Sequence, residues 1–169
     1  MGKNALLLID VVNQYLNPEG DLFIGDDSYS LIHNIREQLL LANKSNTPVI
    51  YITSEYLLSK NGASISCNNQ DYIDQIVSEL KPSDDVCLIK KGLSCFDGTH
   101  LEYLLGKMKV EKAIITGVRT HSSVLFTAFD AKRRRMDVTV IEDCVASEER
   151  MYHTYALALM RNLLDVEIF

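Results

Sequence analysis

Three short segments of this 169-residue chain carry reactive side chains just beyond apolar runs. Asp10 follows Ala5–Ile9, and Lys90, with Lys91 beside it, follows Val86–Ile89. The segment Thr116-Gly117-Val118-Arg119-Thr120-His121-Ser122-Ser123 closes a third run and opens a helical stretch. A carboxylate beside a hydroxyl can take its proton as a general base. An ammonium nearby stabilises the carboxylate, or an anion formed during reaction. A nucleophile in the first turn of a helix feels the positive end of the helix dipole. Backbone N–H groups of a Gly117–Ser123 turn, those of Arg119 and Ser123 among them, can hold an oxyanion. The same Asp10 and Lys90 can equally form a structural ion pair, because charges at the ends of apolar strands are costly unless paired.

The elements that must position these groups alternate along the chain. Ala5–Ile9, Val49–Thr53, Val86–Ile89, Lys112–Thr116 and Val138–Ile141 are short runs, mostly apolar and rich in β-branched residues. Such runs suit strands buried on both faces. Val166–Phe169 offers a sixth strand. Between them apolar residues recur at helical spacing: Leu31, Ile35, Leu39 and Leu40; Tyr72, Ile73, Ile76, Val77 and Leu80; Leu101, Leu104 and Leu105; Val124, Leu125, Ala128 and Ala131; Tyr155, Ala156, Leu159 and Leu163. Strand–helix alternation of this regularity predicts βαβ units. The expected fold is therefore α/β, a three-layer sandwich around a mostly parallel six-stranded sheet. It forms one domain spanning 1–169. Ligands of such sheets bind beyond the carboxyl ends of the strands, which is where Asp10, Lys90 and Ser123 fall. The polar stretch Ser54–Gln70 lacks periodicity and is expected to be a long loop or lid.

Composition narrows the function classes. Hydrophobic residues make up 47% and charged residues 24%, with a net charge of −6, so the chain is globular and mildly acidic. The run Lys132-Arg133-Arg134-Arg135 ends a predicted helix and reads as a solvated or interface face, not a nucleic-acid site. No apolar run has the length of a membrane span, and Ala5–Ile9 is too short for a signal-peptide core. Cys67, Cys87, Cys95 and Cys144 are scattered without a C-x-x-C pair. They read as inert reduced thiols of a cytoplasmic protein.

Four segments together resemble the isochorismatase-like hydrolases, a family that includes nicotinamidases and other cysteine hydrolases. Ala5-Leu6-Leu7-Leu8-Ile9-Asp10-Val11-Val12-Asn13-Gln14-Tyr15-Leu16 looks like the family's opening strand and its aspartate. Lys90-Lys91-Gly92-Leu93-Ser94-Cys95-Phe96-Asp97-Gly98-Thr99-His100-Leu101 resembles its lysine segment, whose spacing selects Lys90 over Lys91. Ile115–Thr120 followed by Thr127–Ala131 resembles the nucleophile segment, and Val140–Ser147 with His153 resembles the closing strand and helix. The resemblance implies an Asp–Lys–Cys triad, a homo-oligomer and a small-molecule substrate. It also implies a non-proline cis peptide between Val118 and Arg119.

The sequence departs from that pattern at the nucleophile. The family's cysteine lies six residues beyond the turn glycine, a position held here by Ser123. A hydroxyl is far less acidic than a thiol of pKa about 8.5 and needs a well-placed base, a task that falls to Asp10. The Asp-x-His cluster that holds a metal in nicotinamidases is replaced by Thr53-Ser54-Glu55-Tyr56-Leu57, so no metal or other cofactor is expected. Val12 stands where many relatives carry Gln. One branch of the family, the isochorismatases proper, cleaves a vinyl ether without the cysteine and carries a histidine where this chain has His121. In that chemistry Asp10 protonates the vinyl carbon and water attacks the oxocarbenium ion. Arg119 is placed either to fork onto a substrate carboxylate or to make an interface salt bridge, and His121 either to contact substrate or to cap the helix. The expected function is thus hydrolysis of a small metabolite at a C–N amide bond or a vinyl ether. The catalytic candidates are Asp10, Lys90 and Ser123, with Val118, Arg119 and His121 around the substrate. The alternative is an inactive family member that binds a metabolite or acts as a scaffold.

Overall fold

The computed structural model describes residues 3–55, 75–83 and 85–169. Six strands form one sheet: β1 (Lys3–Ile9), β2 (Val49–Ser54), β3 (Val86–Lys90), β4 (Val110–Val118), β5 (Asp137–Ala146) and β6 (Glu167–Ile168). Their spatial order is β3-β2-β1-β4-β5-β6 and every pairing is parallel. The expected α/β sandwich is the observed one. From β1 the chain builds outward to β3. It then crosses to the other side of β1 and builds outward again from β4 to β6. Strand order therefore reverses between β1 and β4.

Alternation along each strand divides the core in two. Ala5, Leu7 and Ile9 of β1 join Ile50, Ile52, Ala113 and Ile115 on one face. Leu6 and Leu8 join Val49 and Tyr51 on the other. Both sets are buried, so a continuous apolar run is what a sheet covered on both sides requires. The first face is covered by α3 (Leu101–Met108), α4 (Leu125–Arg133) and α5 (Arg150–Leu163). The second is covered by α1 (Asn13–Leu16) and α2 (Asp27–Ser45), through Tyr15, Leu16, Leu31, Ile35 and Ala42. Each large aliphatic side chain buried this way contributes roughly 1.5–3 kcal/mol.

Three expectations are corrected. Of the helix predicted through Tyr72–Leu80 the described part is helical only at Gln75; beyond it Ile76 bridges Val12 in antiparallel fashion, Val77 N–H donates to Val11 O at 3.2 Å, and Ser78–Leu80 forms a single 3₁₀ turn. Apolar spacing there serves to plug Ile76, Val77 and Leu80 into the second core cluster. Ser54, expected to begin a loop, is the last residue of β2, while residues 56–70 lie outside the described ones. The fifth strand, predicted to stop at Ile141, continues to Ala146 across a bulge, since Ile115 pairs with Val140 but Gly117 with Val145. Exposed Glu142 and Asp143 occupy that bulge, and their charges hid the strand's continuation.

Candidate active site

Four strand ends meet at the reversal point. Asp10 is the first residue beyond β1, in a left-handed conformation (φ 52°) with its N–H bonded to Ile52 O at 2.9 Å. Lys90 and Ser54 are the last residues of β3 and β2 and are register partners. Ser123 lies in a π-type turn, Thr120–Val124, between β4 and α4. The bend before it depends on Gly117, whose φ is 111° and where a Cβ would collide with the Ile9 carbonyl oxygen. Only glycine tolerates both demands. The Val118–Arg119 peptide that follows is cis.

The side chains form one closed network. Lys90 Nζ lies 3.2 Å from Asp10 Oδ2, and each residue is 1% exposed. Ser123 Oγ donates to Asp10 Oδ2 at 3.1 Å, while Lys90 Nζ donates to Ser123 Oγ at 3.0 Å. Ser54 does the same from the other side. Its Oγ donates to Asp10 at 3.0 Å (Oδ1) and 3.2 Å (Oδ2), and it accepts from Lys90 Nζ at 2.6 Å. Ser54 N–H adds a 2.8 Å bond to Oδ1, and Gly92 O accepts from Lys90 at 3.3 Å. Desolvating an ion pair is costly, and a buried one holds only when further hydrogen bonds satisfy its remaining atoms. Here two hydroxyls, one amide and one carbonyl do so. Among the described residues the groups bonded to Asp10 are all donors, an arrangement complementary to a carboxylate.

Asp10, Lys90 and Ser123, read from three separate segments, thus converge. Ser54 was not read as a functional residue. A serine ending an apolar strand gives no distinctive sequence signal, and only the order β3-β2-β1 puts it between Asp10 and Lys90. The remaining candidates lie beside the network. Val118 is fully buried in the second core cluster. Arg119 Nη1 pairs with Glu148 of the same chain at 3.1 Å, and the guanidinium lies 5.7 Å from the Tyr15 ring centroid. The His121 ring meets Ser147 Oγ through Nδ1 at 2.9 Å and packs on Tyr152, so its contacts run to the residue after β5 and to α5 rather than to Asp10. Cys95 and Cys144 are buried, and burial pushes both thiols up to about 12.

No histidine lies between His33 and His100, so the Asp-x-His ligands of a nicotinamidase-type metal site are missing from the sequence after β2. Ser54 Oγ is committed to Asp10 and Lys90. Among the described residues no group of three His, Cys, Asp or Glu side chains is placed to hold an ion.

Fold and cluster together define a doubly wound α/β protein with its polar site at the topological switch point. Residues 4–167 match the Isochorismatase domain, and the chain belongs to the isochorismatase family. It is 33% identical over 168 residues to an uncharacterized isochorismatase family protein of Bacillus subtilis, covering 97% of this chain and 92% of that one. It is 27% identical over 178 residues to a probable inactive nicotinamidase of Arabidopsis thaliana, covering 95% and 89%. Among solved structures, an isochorismatase family protein of Desulfovibrio vulgaris superposes with a TM-score of 0.86 at 20% identity, over 99% and 94% of the two chains. A nicotinamidase of Bacillus subtilis does so at 0.84 and 21%, over 98% of both. These superpositions show a shared fold.

Proposed function

We propose that this protein hydrolyses a small metabolite at a C–N bond, with Ser123 in the nucleophile position that a cysteine holds in hydrolases of the family. The Ser123 hydroxyl pointing at Asp10 Oδ2, 3.1 Å away, carries this reading. In the proposed step Oγ attacks the substrate carbonyl carbon as its proton passes to Asp10. The C–O bond forms and the carbonyl electrons move onto oxygen. Backbone N–H groups of the Val118–Ser123 turn stabilise that oxyanion, Arg119 N–H among them. Asp10 returns the proton to the leaving nitrogen as the C–N bond breaks. Water then attacks the acyl-enzyme with Asp10 as base, which regenerates the Ser123 hydroxyl. Lys90 keeps the negative charge neutralised throughout. His121 and Arg119 border the substrate's approach, and no cofactor takes part.

The vinyl-ether reading needs Asp10 as an acid. The four donors around Asp10 complement a carboxylate, not the protonated acid that this route requires. An inactive, metabolite-binding protein is the second reading. It is favoured by a network that is already satisfied without substrate and by the likeness to a probable inactive nicotinamidase. A cytoplasmic setting accords with the buried, reduced thiols of Cys95 and Cys144. Assembly into homo-oligomers completes the proposal.

Fluorophosphonate labelling followed by peptide mapping, beside a panel of amides and vinyl ethers, separates these readings. Labelling at Ser123 that is lost in Asp10→Asn, with amide turnover, supports the proposal. Vinyl-ether turnover that survives Ser123→Ala but not Asp10→Asn establishes the acid route. An unlabelled Ser123 with no turnover across the panel overturns catalysis.

A further inference from the structure

Ser54 is a second hydroxyl with the same two partners as Ser123. Ser123 Oγ lies 3.1 Å from Asp10 Oδ2 and 3.0 Å from Lys90 Nζ. Ser54 Oγ lies 3.0 Å from Asp10 Oδ1, 3.2 Å from Oδ2 and 2.6 Å from Lys90 Nζ. An ammonium only donates, so each hydroxyl accepts from Lys90 and turns its single proton towards Asp10. The two differ in their setting. Ser123 belongs to the Thr120–Val124 turn, where backbone N–H groups can meet an oxyanion. Ser54 is the last residue of β2, held in the sheet as the register partner of Lys90 and 1% exposed. Its place is fixed by the sheet and not offered to substrate.

Proton counting gives this buried hydroxyl a task. Lys90 has three N–H bonds but, among the described residues, four acceptors within 3.3 Å: Ser54 Oγ, Ser123 Oγ, Asp10 Oδ2 and Gly92 O. The acceptors compete, and Ser54 Oγ is the nearest at 2.6 Å. Any bond that Lys90 gives to Ser123 Oγ occupies a lone pair of the atom that has to attack. On the carboxylate, the Ser54 N–H at 2.8 Å and the Ser54 hydroxyl at 3.0 Å both reach Oδ1. Two donors on one oxygen fix the plane of the carboxylate and leave Oδ2 turned to Ser123.

We propose that Ser54 is a positioning residue for the reaction: it takes the closest N–H of Lys90 and holds Asp10 by Oδ1, so that Oδ2 is presented to the Ser123 proton and the Ser123 lone pair is released for attack. Ser54 acts through Asp10 and Lys90, and its role rests on the hydrolase reading with Ser123 as nucleophile. Without the Ser54 hydroxyl, Lys90 turns to its remaining acceptors, Ser123 Oγ among them, and Oδ1 keeps only the amide donor.

Saturation kinetics of fluorophosphonate inactivation, with the label mapped to Ser123, test this role. In that reaction Oγ bonds to phosphorus, fluoride leaves and the hydroxyl proton passes to Asp10. The maximal rate therefore reads positioning, and the half-saturating concentration reads binding. Ser54→Ala is expected to lose at least about tenfold in maximal rate, with half-saturation unchanged within about twofold. Ser54→Thr keeps the hydroxyl and is expected to recover most of the rate. Ile50→Val, a buried change on the same strand, is expected to lower the melting temperature without slowing the label. Where Ser54→Ala fails to fold, Ser54→Cys, of similar size but a weak donor and acceptor, takes its place under the same expectation. Wild-type maximal rate in Ser54→Ala overturns the role of Ser54 and leaves the hydrolase reading standing. A folded Ser54→Thr as slow as Ser54→Ala overturns that role too, as does equal slowing in Ile50→Val. A wild type that takes no label at Ser123 overturns the hydrolase reading and the role with it.

Discussion

Replacing Asp10 by asparagine changes the charge of the network while leaving nearly every atom in place. Asparagine tolerates the left-handed backbone found at this position, so the substitution adds little local strain. Its oxygen can still accept the Ser54 N–H. Its nitrogen then occupies the Oδ2 place, facing three donors, Lys90 Nζ at 3.2 Å, Ser123 Oγ at 3.1 Å and Ser54 Oγ at 3.2 Å. The ammonium of Lys90 loses its counter-ion at a site 1% exposed. Breaking a buried pair from one side costs about 3–5 kcal/mol, and three neutral acceptors remaining on Lys90 place the expected loss near the lower bound, about 3 kcal/mol. Typical stabilities of 5–15 kcal/mol leave the variant folded. Lys90→Met strands the carboxylate and is expected to cost as much. The double variant removes both charges and is expected to be more stable than either single one. Urea titration of the four proteins yields the coupling energy, expected to be about 2 kcal/mol. A single Asp10→Asn loss below about 0.5 kcal/mol, or strict additivity in the double variant, refutes the view that this pair is desolvated and mutually dependent.

Gly117→Ala forces a side chain into a φ of 111° and against the Ile9 carbonyl; a stability loss of at least about 3 kcal/mol in urea titration is expected. Cys95 and Cys144, pushed up to about 12 by burial, are expected to resist maleimide at mildly alkaline pH in the native state and react only on unfolding, as peptide mapping would show. His153, with Nδ1 2.9 Å from Thr120 Oγ1, is held below its usual range by burial, which outweighs the opposing pull of Glu142 and Asp27. A depressed histidine contributes stability in full above its unfolded value of about 6.5, and loses it as pH falls through the folded value. Thermal melts are therefore expected to decline as the solution is acidified below about pH 6.5, and less so in His153→Gln.

The strands and the charged residues of the polar network are legible in the sequence for one reason. A parallel strand covered on both faces must be apolar throughout, so its end is marked by the first charge. Asp10 and Lys90 were visible by that contrast, and Ser123 by its place after Gly117. The same contrast misled at β5, where Glu142 and Asp143 bulge into solvent inside the strand rather than beyond it. It was silent at Ser54, a neutral residue whose role is conferred by its neighbours across the sheet. The helical spacing around Ile76 was real but local, and the bridge to Val12 prevailed over it. A single helical turn such as Asn13–Leu16 is too brief to show a period.

The polar network draws on residues 10, 54, 90 and 123, one from each of the four adjoining strand ends. No contiguous fragment shorter than most of the chain contains all four. A truncated version missing any one of these four strands would keep a stranded charge or an empty hydroxyl place in its interior. Its integrity therefore doubles as a checkpoint on tertiary completeness, and intermediates with only half the sheet assembled have an electrostatic reason to be sparsely populated.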